Sequence, residues 1–171
     1  MKTMLLLSVF ALAGVAHAEA HKAKAAGTIE AKSGSKLAGT VSFTIDKSKV
    51  TVKIDVSGAS PGDHAVHLHE KGDCSDLEGK NAGGHWNPTT TMHGKWGAKP
   101  FHLGDIGNLV VGADGKGTLS LTTDQWTVGG GGNNDVVGHA LIVHASIDDF
   151  KTQPTGNAGG RIGCAVIASS P

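Results

Sequence analysis

The stretch VSFTIDKSKVTVKIDV, residues 41–56, decides the fold class. Apolar and polar residues alternate on both sides of the tetrapeptide 46–49, whose sequence Asp-Lys-Ser-Lys is typical of a turn. Because successive side chains of a strand point to opposite faces, the alternation places all the apolar residues on one face. The stretch therefore predicts a half-buried antiparallel hairpin.

Further strands are predicted outside this hairpin, and the segments between them are rich in glycine and proline. The predicted strands are 118–122, 140–143 and 162–168, and the predicted loops include 57–63 and 129–134. No segment shows a sustained helical period. With 26 glycines and no tyrosine, the chain relies on β-branched residues and leucine for packing. We predict one all-β domain, a sandwich or a barrel.

One long segment, 72–104, does not fit the strand pattern. It has little periodicity, and a structureless loop of this length in a compact domain is either functional or a sign that its elements have been misassigned. Cys74 lies near its start, and it carries His85, His93 and His102. Metal binding is one of the few ways to offset the entropy lost when such a loop is ordered.

The N-terminus has the pattern of a targeting segment. Lys2 precedes an apolar run, 4–15, which is short for a bilayer span, and residues 16–18 (Ala-His-Ala) fit a cleavage site. We predict a signal peptide at 1–18, a mature domain at 19–171 and a solvated leader at 19–26. A lipid-buried anchor and a buried core helix are the alternatives.

Charge and cysteine content narrow the function further. Fifteen basic residues balance fifteen acidic ones, so no basic stripe suits nucleic acid. Cys74 and Cys164 are the only cysteines, so one intramolecular pairing exists. In an exported chain a disulfide is the expected state, and two buried thiols are the alternative.

Eight of the ten histidines fall between His64 and His144. On a strand, His67 and His69 project from the same face, and two such nitrogens suit Cu(II), Zn(II) or Ni(II). A second set supplies three nitrogens and one carboxylate oxygen, which is the composition of a tetrahedral zinc site. Its members are His85, His93, His102 and Asp105. The spacings alone do not assign the metal.

Several short motifs, read together, resemble the copper/zinc superoxide dismutase family over about residues 27–167. The motifs are His67-Leu68-His69-Glu70, Gly84-His85-Trp86-Asn87-Pro88, Met92-His93-Gly94, His102-Leu103-Gly104-Asp105-Ile106-Gly107-Asn108 and Thr155-Gly156-Asn157-Ala158-Gly159-Gly160-Arg161. The short segments 70–73 and 145–160 are similar to the bacterial, periplasmic branch. The resemblance implies a Greek-key antiparallel β-barrel or sandwich, immunoglobulin-like, with two long functional loops.

The resemblance also implies a role for each site residue, with one copper and one zinc ion per subunit. The copper ligands would be His67, His69, His85 and His144, and the zinc ligands His85, His93, His102 and Asp105. His85 would bridge the two metals and donate a proton, and Arg161 would attract the substrate anion beside the copper. Asp148 would link His67 to His93, and Cys74 would pair with Cys164. His64 would serve packing, and His139, which matches no ligand position, is predicted to be exposed.

The implied activity is the disproportionation of superoxide to oxygen and hydrogen peroxide. The protein would lie in the periplasm and protect the cell envelope from oxidative stress. After signal cleavage no membrane contact is expected, and a homodimer is left open. Pro154 stands where many eukaryotic members place a lysine that guides substrate. The remaining candidates for steering beside Arg161 are Lys71, Lys95, Lys99 and Lys151. A metal buffer without catalysis and a dismutase-like metallochaperone domain are the rival functions.

Overall fold

A computed structural model describes residues 24–170 and contains nine β-strands. They are β1 (Ala25–Ala31), β2 (Ala38–Asp46), β3 (Lys49–Ser57), β4 (Gly62–His69), β5 (Asp105–Val111), β6 (Gly117–Thr123), β7 (Ala140–His144), β8 (Arg161–Val166) and β9 (Ala168–Ser169). Within the described residues the helical structure is one 3-10 turn, Lys80–Ala82. The all-β prediction is confirmed.

The strands form an antiparallel sheet that closes on itself. Its order is β2-β3-β6-β5-β4-β7-β8-β1-β9, and β1 also pairs with β2, which joins the two ends. In this order β3 lies beside β6 after the meander β4-β5-β6, and β7 lies on the other side of β4. Each arrangement is a Greek key, in which a fourth strand returns to lie beside the first. The chain is therefore a Greek-key barrel, as predicted.

The predicted hairpin is formed by β2 and β3, with the turn between Asp46 and Lys49. Phe43 pairs with Val52, and both side chains are buried in the barrel interior. The Phe43 ring packs edge-on against Trp126, at 6.1 Å between centroids. The indole Nε1 of Trp126 donates to the carbonyl of Leu103 at 3.0 Å, which ties the end of the long loop to the core.

Some strand boundaries differ from the predictions. β1 begins at Ala25, inside the predicted leader, and Ala25 is buried against β2 and β9. β4 begins at Gly62, inside the predicted loop, and β5 has no predicted counterpart. Small residues such as Ala25 and Gly27 carry almost no hydrophobic periodicity, although they fit closely packed strands. The pattern of apolar residues therefore missed them.

The predicted signal peptide at 1–18 lies outside the described residues. Across residues 24–170 no helix is long and apolar enough to span a bilayer.

Two β-bulges interrupt the ladders where functional residues were predicted. Between β4 and β5 the register shifts after Val66, which places His67 opposite Asp105. Between β7 and β8 it shifts after Val143, which places His144 opposite Arg161. Because a bulge re-aims the side chains beside it, the two shifts redirect these residues towards the region under the long loops.

Cys74 and Cys164 form a disulfide, as predicted, so the alternative of two free thiols is wrong. The bond joins the start of the long loop to β8, and Cys164 is fully buried. It closes a loop with a sequence separation of 90, long enough to remove substantial entropy from the unfolded chain.

We expect Cys164→Ser to lower the free energy of unfolding of the metal-free protein by about 4–5 kcal/mol, the chain-entropy value for a loop of this size. Urea unfolding followed by circular dichroism would measure it. Cys74→Ser should give the same loss, because both variants open the same loop. A loss below about 1 kcal/mol in both would show that the disulfide does not stabilise the barrel.

Candidate metal centre

The outer face of β4 carries the centre. Val66 and Leu68 point into the barrel core, so His67 and His69 point outwards, and the two long loops cover them. Seven polar residues beneath these loops are at most 5% exposed: His67, His69, His85, His93, His102, Asp105 and His144. A cluster of ionisable side chains this deeply buried is rare unless its members are paired or bind metal.

His85 reaches the centre because its loop continues the ladder of β4. The amide of Trp86 donates to the carbonyl of Leu68 at 2.8 Å, and His85 itself forms an isolated bridge with His69. The amide of Gly104 in turn donates to the carbonyl of Trp86 at 3.0 Å. Beyond the Asp105 end of β5, the loop therefore lies next to β4 in the place of β5. This pairing brings His85 beside the two strand histidines.

Four imidazoles form the first cluster, here called the four-histidine group: His67, His69, His85 and His144. One nitrogen from each lies within 4.8 Å of the others. Those nitrogens, Nδ1 of His67 and Nε2 of the other three, are buried without a hydrogen-bond partner. Burial lowers the pKa of His67, and it lowers the pKa of His69 and of His144 well below the usual histidine range. Neutral imidazoles with free lone pairs are what a divalent transition metal requires.

Three imidazoles surround one carboxylate in the second cluster, here called the mixed group: His85, His93, His102 and Asp105. Their Nδ1 atoms lie 2.9, 3.0 and 3.1 Å from the Asp105 oxygens. In a tetrahedral zinc site with bonds of 2.0–2.1 Å, neighbouring donor atoms are about 3.3 Å apart. The donor set and its spacing therefore fit zinc. His93 Nδ1 also has no aligned hydrogen-bond partner in the described residues.

Charge in the mixed group is balanced by Asp105. Burial alone would raise the pKa of the Asp105 carboxyl, but hydrogen bonds with His85 and His102, together with the nearby His93 ring, hold it well below its usual range. Burial likewise opposes the charged form of His93, yet Asp105 and Asp148 raise its pKa to about 9. The carboxylate is thus ionised at neutral pH, as a metal ligand must be.

His85 belongs to both groups. Its Nδ1 lies 2.9 Å from Asp105 Oδ1, and its Nε2 faces the four-histidine group without a partner. Burial is the largest influence on this ring and lowers its pKa to about 4. One neutral ring therefore presents a nitrogen to each cluster.

The nitrogens opposite the donor atoms are held by fixed acceptors. His69 Nδ1 donates to the carbonyl of Gly83 at 3.0 Å, and His102 Nε2 donates to that of Thr91 at 3.1 Å. His67 and His93 donate from Nε2 to the two oxygens of Asp148, at 2.8 and 2.9 Å. Such bonds select the tautomer and orient the ring, so the free lone pairs point inwards.

Asp148 is 1% exposed and is itself held by β5 and by its own loop. The Asn108 side chain donates to the carbonyl of Asp148 and accepts from its amide, at 3.0 and 2.8 Å. Gly156 packs against the bond between Asp148 and His93. A Cβ at position 156 would lie 2.6 Å from His93 Nε2, and the φ of +68° already favours glycine. Asn108 and Gly156 both lie in motifs quoted in the sequence analysis, but their contacts with Asp148 cannot be predicted from the sequence.

Arg161 lies beside the four-histidine group at the start of β8. Its guanidinium is half-buried and donates to the carbonyls of Gly79 and Gly83, both at 2.6 Å. Gly83 also accepts from His69, so one carbonyl orients both side chains. Burial lowers the pKa of Arg161, but an arginine side chain in a protein stays protonated, so the group remains a cation.

One cation near Arg161 was not among the predicted steering residues. Lys80 lines the same surface cavity as Arg161, together with Ser33 and Glu78, and pairs with Glu78. No residue pattern in the sequence marks Lys80, because its place is set by the cavity that it shares with Arg161. Lys95 instead lies over the Phe150 ring, and Lys99 lines a different cavity.

His64 and His139 are the two remaining histidines among the described residues, and both lie outside the two donor groups. His64 is buried, with ring nitrogens 2.8 Å from the carbonyl of His144 and 2.9 Å from that of Ser60, in neither donor group. The prediction that His139 is exposed is wrong. It is half-buried, its ring lies 4.4 Å from that of Trp86, and Nδ1 donates to the carbonyls of His69 and Glu70. The contact arises because β7 pairs with β4 at Ala140, the next residue.

We expect Gly156→Ala to weaken zinc binding about tenfold or more, because the added methyl must displace Asp148 or His93. Chelator competition on purified protein would measure the affinity. Gly160→Ala is the matched control, since no atom lies within 4 Å of its Cβ position. Equal zinc affinities for the two variants would show that the packing against Asp148 has no effect on the metal.

The chain is similar to known proteins that belong to one family. The family model described as copper/zinc superoxide dismutase matches residues 37–167. A superoxide dismutase [Cu-Zn] of Caulobacter vibrioides is 39% identical over 135 residues, 76% of this chain and 78% of that protein. An extracellular superoxide dismutase [Cu-Zn] of Brugia pahangi is 36% identical over 141 residues, 77% of this chain and 69% of the relative.

Two further similarities span most of the chain. A superoxide dismutase [Cu-Zn] of Paramecium bursaria Chlorella virus 1 is 40% identical over 136 residues, 75% of this chain and 71% of that protein. A crystal structure of the clock protein EA4 superposes with a TM-score of 0.76 and 31% identity, covering 90% of this chain and 99% of that one.

Proposed function

The chain belongs to the copper/zinc superoxide dismutase family, and we propose that its two clusters divide the metals, with copper in the four-histidine group and zinc in the mixed group. The protein is an oxidoreductase that converts superoxide to oxygen and hydrogen peroxide, with copper and zinc as cofactors. What the proposal adds is the residue that performs each part of this reaction.

The observation that carries the assignment is the set of unpartnered nitrogens. Across the described residues, the buried side-chain nitrogens and oxygens without a hydrogen-bond partner are all imidazole nitrogens of the two groups. Leaving a buried polar atom unpaired destabilises a fold by about 1–3 kcal/mol, so a metal is the partner they require. Four nitrogens suit copper, and three nitrogens with one carboxylate suit zinc.

Bound copper would supply the one-electron chemistry that oxidises one superoxide ion to oxygen and reduces a second to peroxide. The chain's own task is to admit a small anion and to hold it there. Arg161 is placed for this role, since its guanidinium is fixed by two carbonyls and is partly open to solvent. Lys80 lines the same cavity, but its charge is paired with that of Glu78, so Arg161 is the cation left to attract the anion there. Local positive charge raises the encounter rate of an anion.

Proton supply falls to His85. Its Nε2 belongs to the four-histidine group, while Nδ1 is directed at Asp105. A proton held on Nε2 when that nitrogen is not serving as a metal ligand would be one of the two that hydrogen peroxide needs, and the other would come from solvent; the ring need not leave the mixed group, because Nδ1 stays at Asp105. Asp105 and the loop pairing at Trp86 keep the ring in place during this transfer.

Location and assembly are part of the proposal. The relatives include extracellular and bacterial enzymes, which is consistent with secretion. We place the protein in the periplasm, with residues 1–18 removed as a signal peptide and the domain beginning at 19, where it protects the cell envelope as a free protein or a homodimer. The disulfide supports this location, because such bonds persist in oxidising compartments.

Reconstitution tests the proposed function. The chain loaded with one copper and one zinc ion should disproportionate superoxide, as measured by stopped-flow decay of its ultraviolet absorbance. His85→Ala should keep part of its zinc but lose most of its turnover, since one ligand serves both groups and carries the proton. Wild-type protein that holds both metals without turnover would identify a metal buffer instead.

Arg161→Ala should lower the second-order rate constant about tenfold, which lies within the range of electrostatic steering. The variant should also show a flatter fall of rate with salt, because the screened charge is gone. Rates would be measured against ionic strength at matched metal content. Lys53→Ala, on the distant strand β3, is the control and should retain the wild-type curve. Coinciding curves for Arg161→Ala and wild type would overturn the capture role.

A further inference from the structure

Gln153 makes a two-point contact with the main chain of His93. The amide of His93 donates to Gln153 Oε1 at 2.9 Å, and Gln153 Nε2 donates back to the carbonyl of His93 at 2.9 Å. The side-chain amide thus pairs with a peptide unit as a neighbouring strand would, across a sequence separation of 60.

No backbone partner replaces this contact. His93 lies in a segment without strand structure, and within the described residues its amide and carbonyl form no backbone hydrogen bond. The next residue before it, Met92, is 60% exposed. The peptide groups of His93 therefore depend on Gln153, whereas those of His85 are anchored by pairing with β4.

The loop that carries Gln153 also holds the His93 side chain. Asp148 accepts from His93 Nε2, and Gly156 packs against that bond. One short loop thus fixes both the ring and the main chain of a single residue. The ring can rotate only about the Cα–Cβ and Cβ–Cγ bonds of His93. Fixing the main chain therefore limits where Nδ1 points within the mixed group.

We propose that Gln153 is a positioning residue that orients His93 for zinc and slows the loss of the metal. The inference rests on the proposed assignment of zinc to the mixed group. It concerns a residue outside both donor sets and outside the motifs that carry the family resemblance. Because this part-buried contact holds the main chain of a residue of the mixed group, its main effect should appear in metal binding.

The test compares Gln153→Ala and Gln153→Glu with Gln125→Glu, in the full chain with its disulfide intact. Gln153→Ala removes both bonds, and Gln153→Glu replaces the donor with an oxygen that repels the His93 carbonyl. Gln125→Glu introduces the same charge at a side chain without a hydrogen bond in the described residues. The readouts are zinc transfer to excess chelator and the visible absorption of Co(II) bound in place of zinc.

Both Gln153 variants should bind zinc about tenfold more weakly, the lower end for loss of an outer partner of a ligand, and should shift the Co(II) bands. Gln125→Glu should match wild type in both readouts. Unchanged zinc transfer and Co(II) bands in the Gln153 variants would overturn the role. So would a loss confined to the melting temperature of the metal-free protein, because it would indicate a structural contact only.

The wild type separates this result from the proposed function. If wild-type protein holds zinc and the Gln153 variants hold it equally well, only the positioning role fails. If wild-type protein does not hold zinc, the assignment of the mixed group fails, and the positioning role fails with it.

Discussion

Buried imidazole nitrogens without a hydrogen-bond partner are the constraint on which the rest of the structure depends. Each buried polar atom left without a partner opposes folding. The surrounding structure gathers these nitrogens in one place and gives them no hydrogen-bond partner. Asp148, Gly83 and Thr91 occupy the opposite nitrogens, so the free ones have a single direction left. The site is thus specified as much by the acceptors behind the rings as by the rings themselves.

The barrel supplies the geometry that loops alone could not. His67 and His144 lie on adjacent strands, and each comes directly after a bulge that sets its partner, Asp105 or Arg161. His85 is added by a loop that copies the pairing of a strand. Rigid elements therefore hold the four-histidine group, and the mixed group, with His93 and His102 on the long loop, needs extra contacts. Gln153 and Gly156 are such contacts.

How much the sequence predicted follows from the kind of signal each feature leaves. Strong alternation in residues 41–56 identified the central hairpin, and the histidine motifs in order indicated the metal set. β1 was missed at Ala25 because alanine and glycine pack without raising the hydrophobic pattern. Lys80 and Gln153 were missed for another reason: each acts through a cavity or a main-chain group, and neither leaves a residue pattern.

Closure of the barrel has a consequence for the order of assembly. β1 completes the sheet by pairing with β8, although the two strands lie at opposite ends of the described chain. A growing chain that has produced β1 to β4 holds His67 and His69 but neither complete donor group. Pairings between such distant segments form slowly, since a large loop must first be closed. Neither donor group can therefore be complete until segments that are far apart in the chain, from His67 to His144, have been brought together.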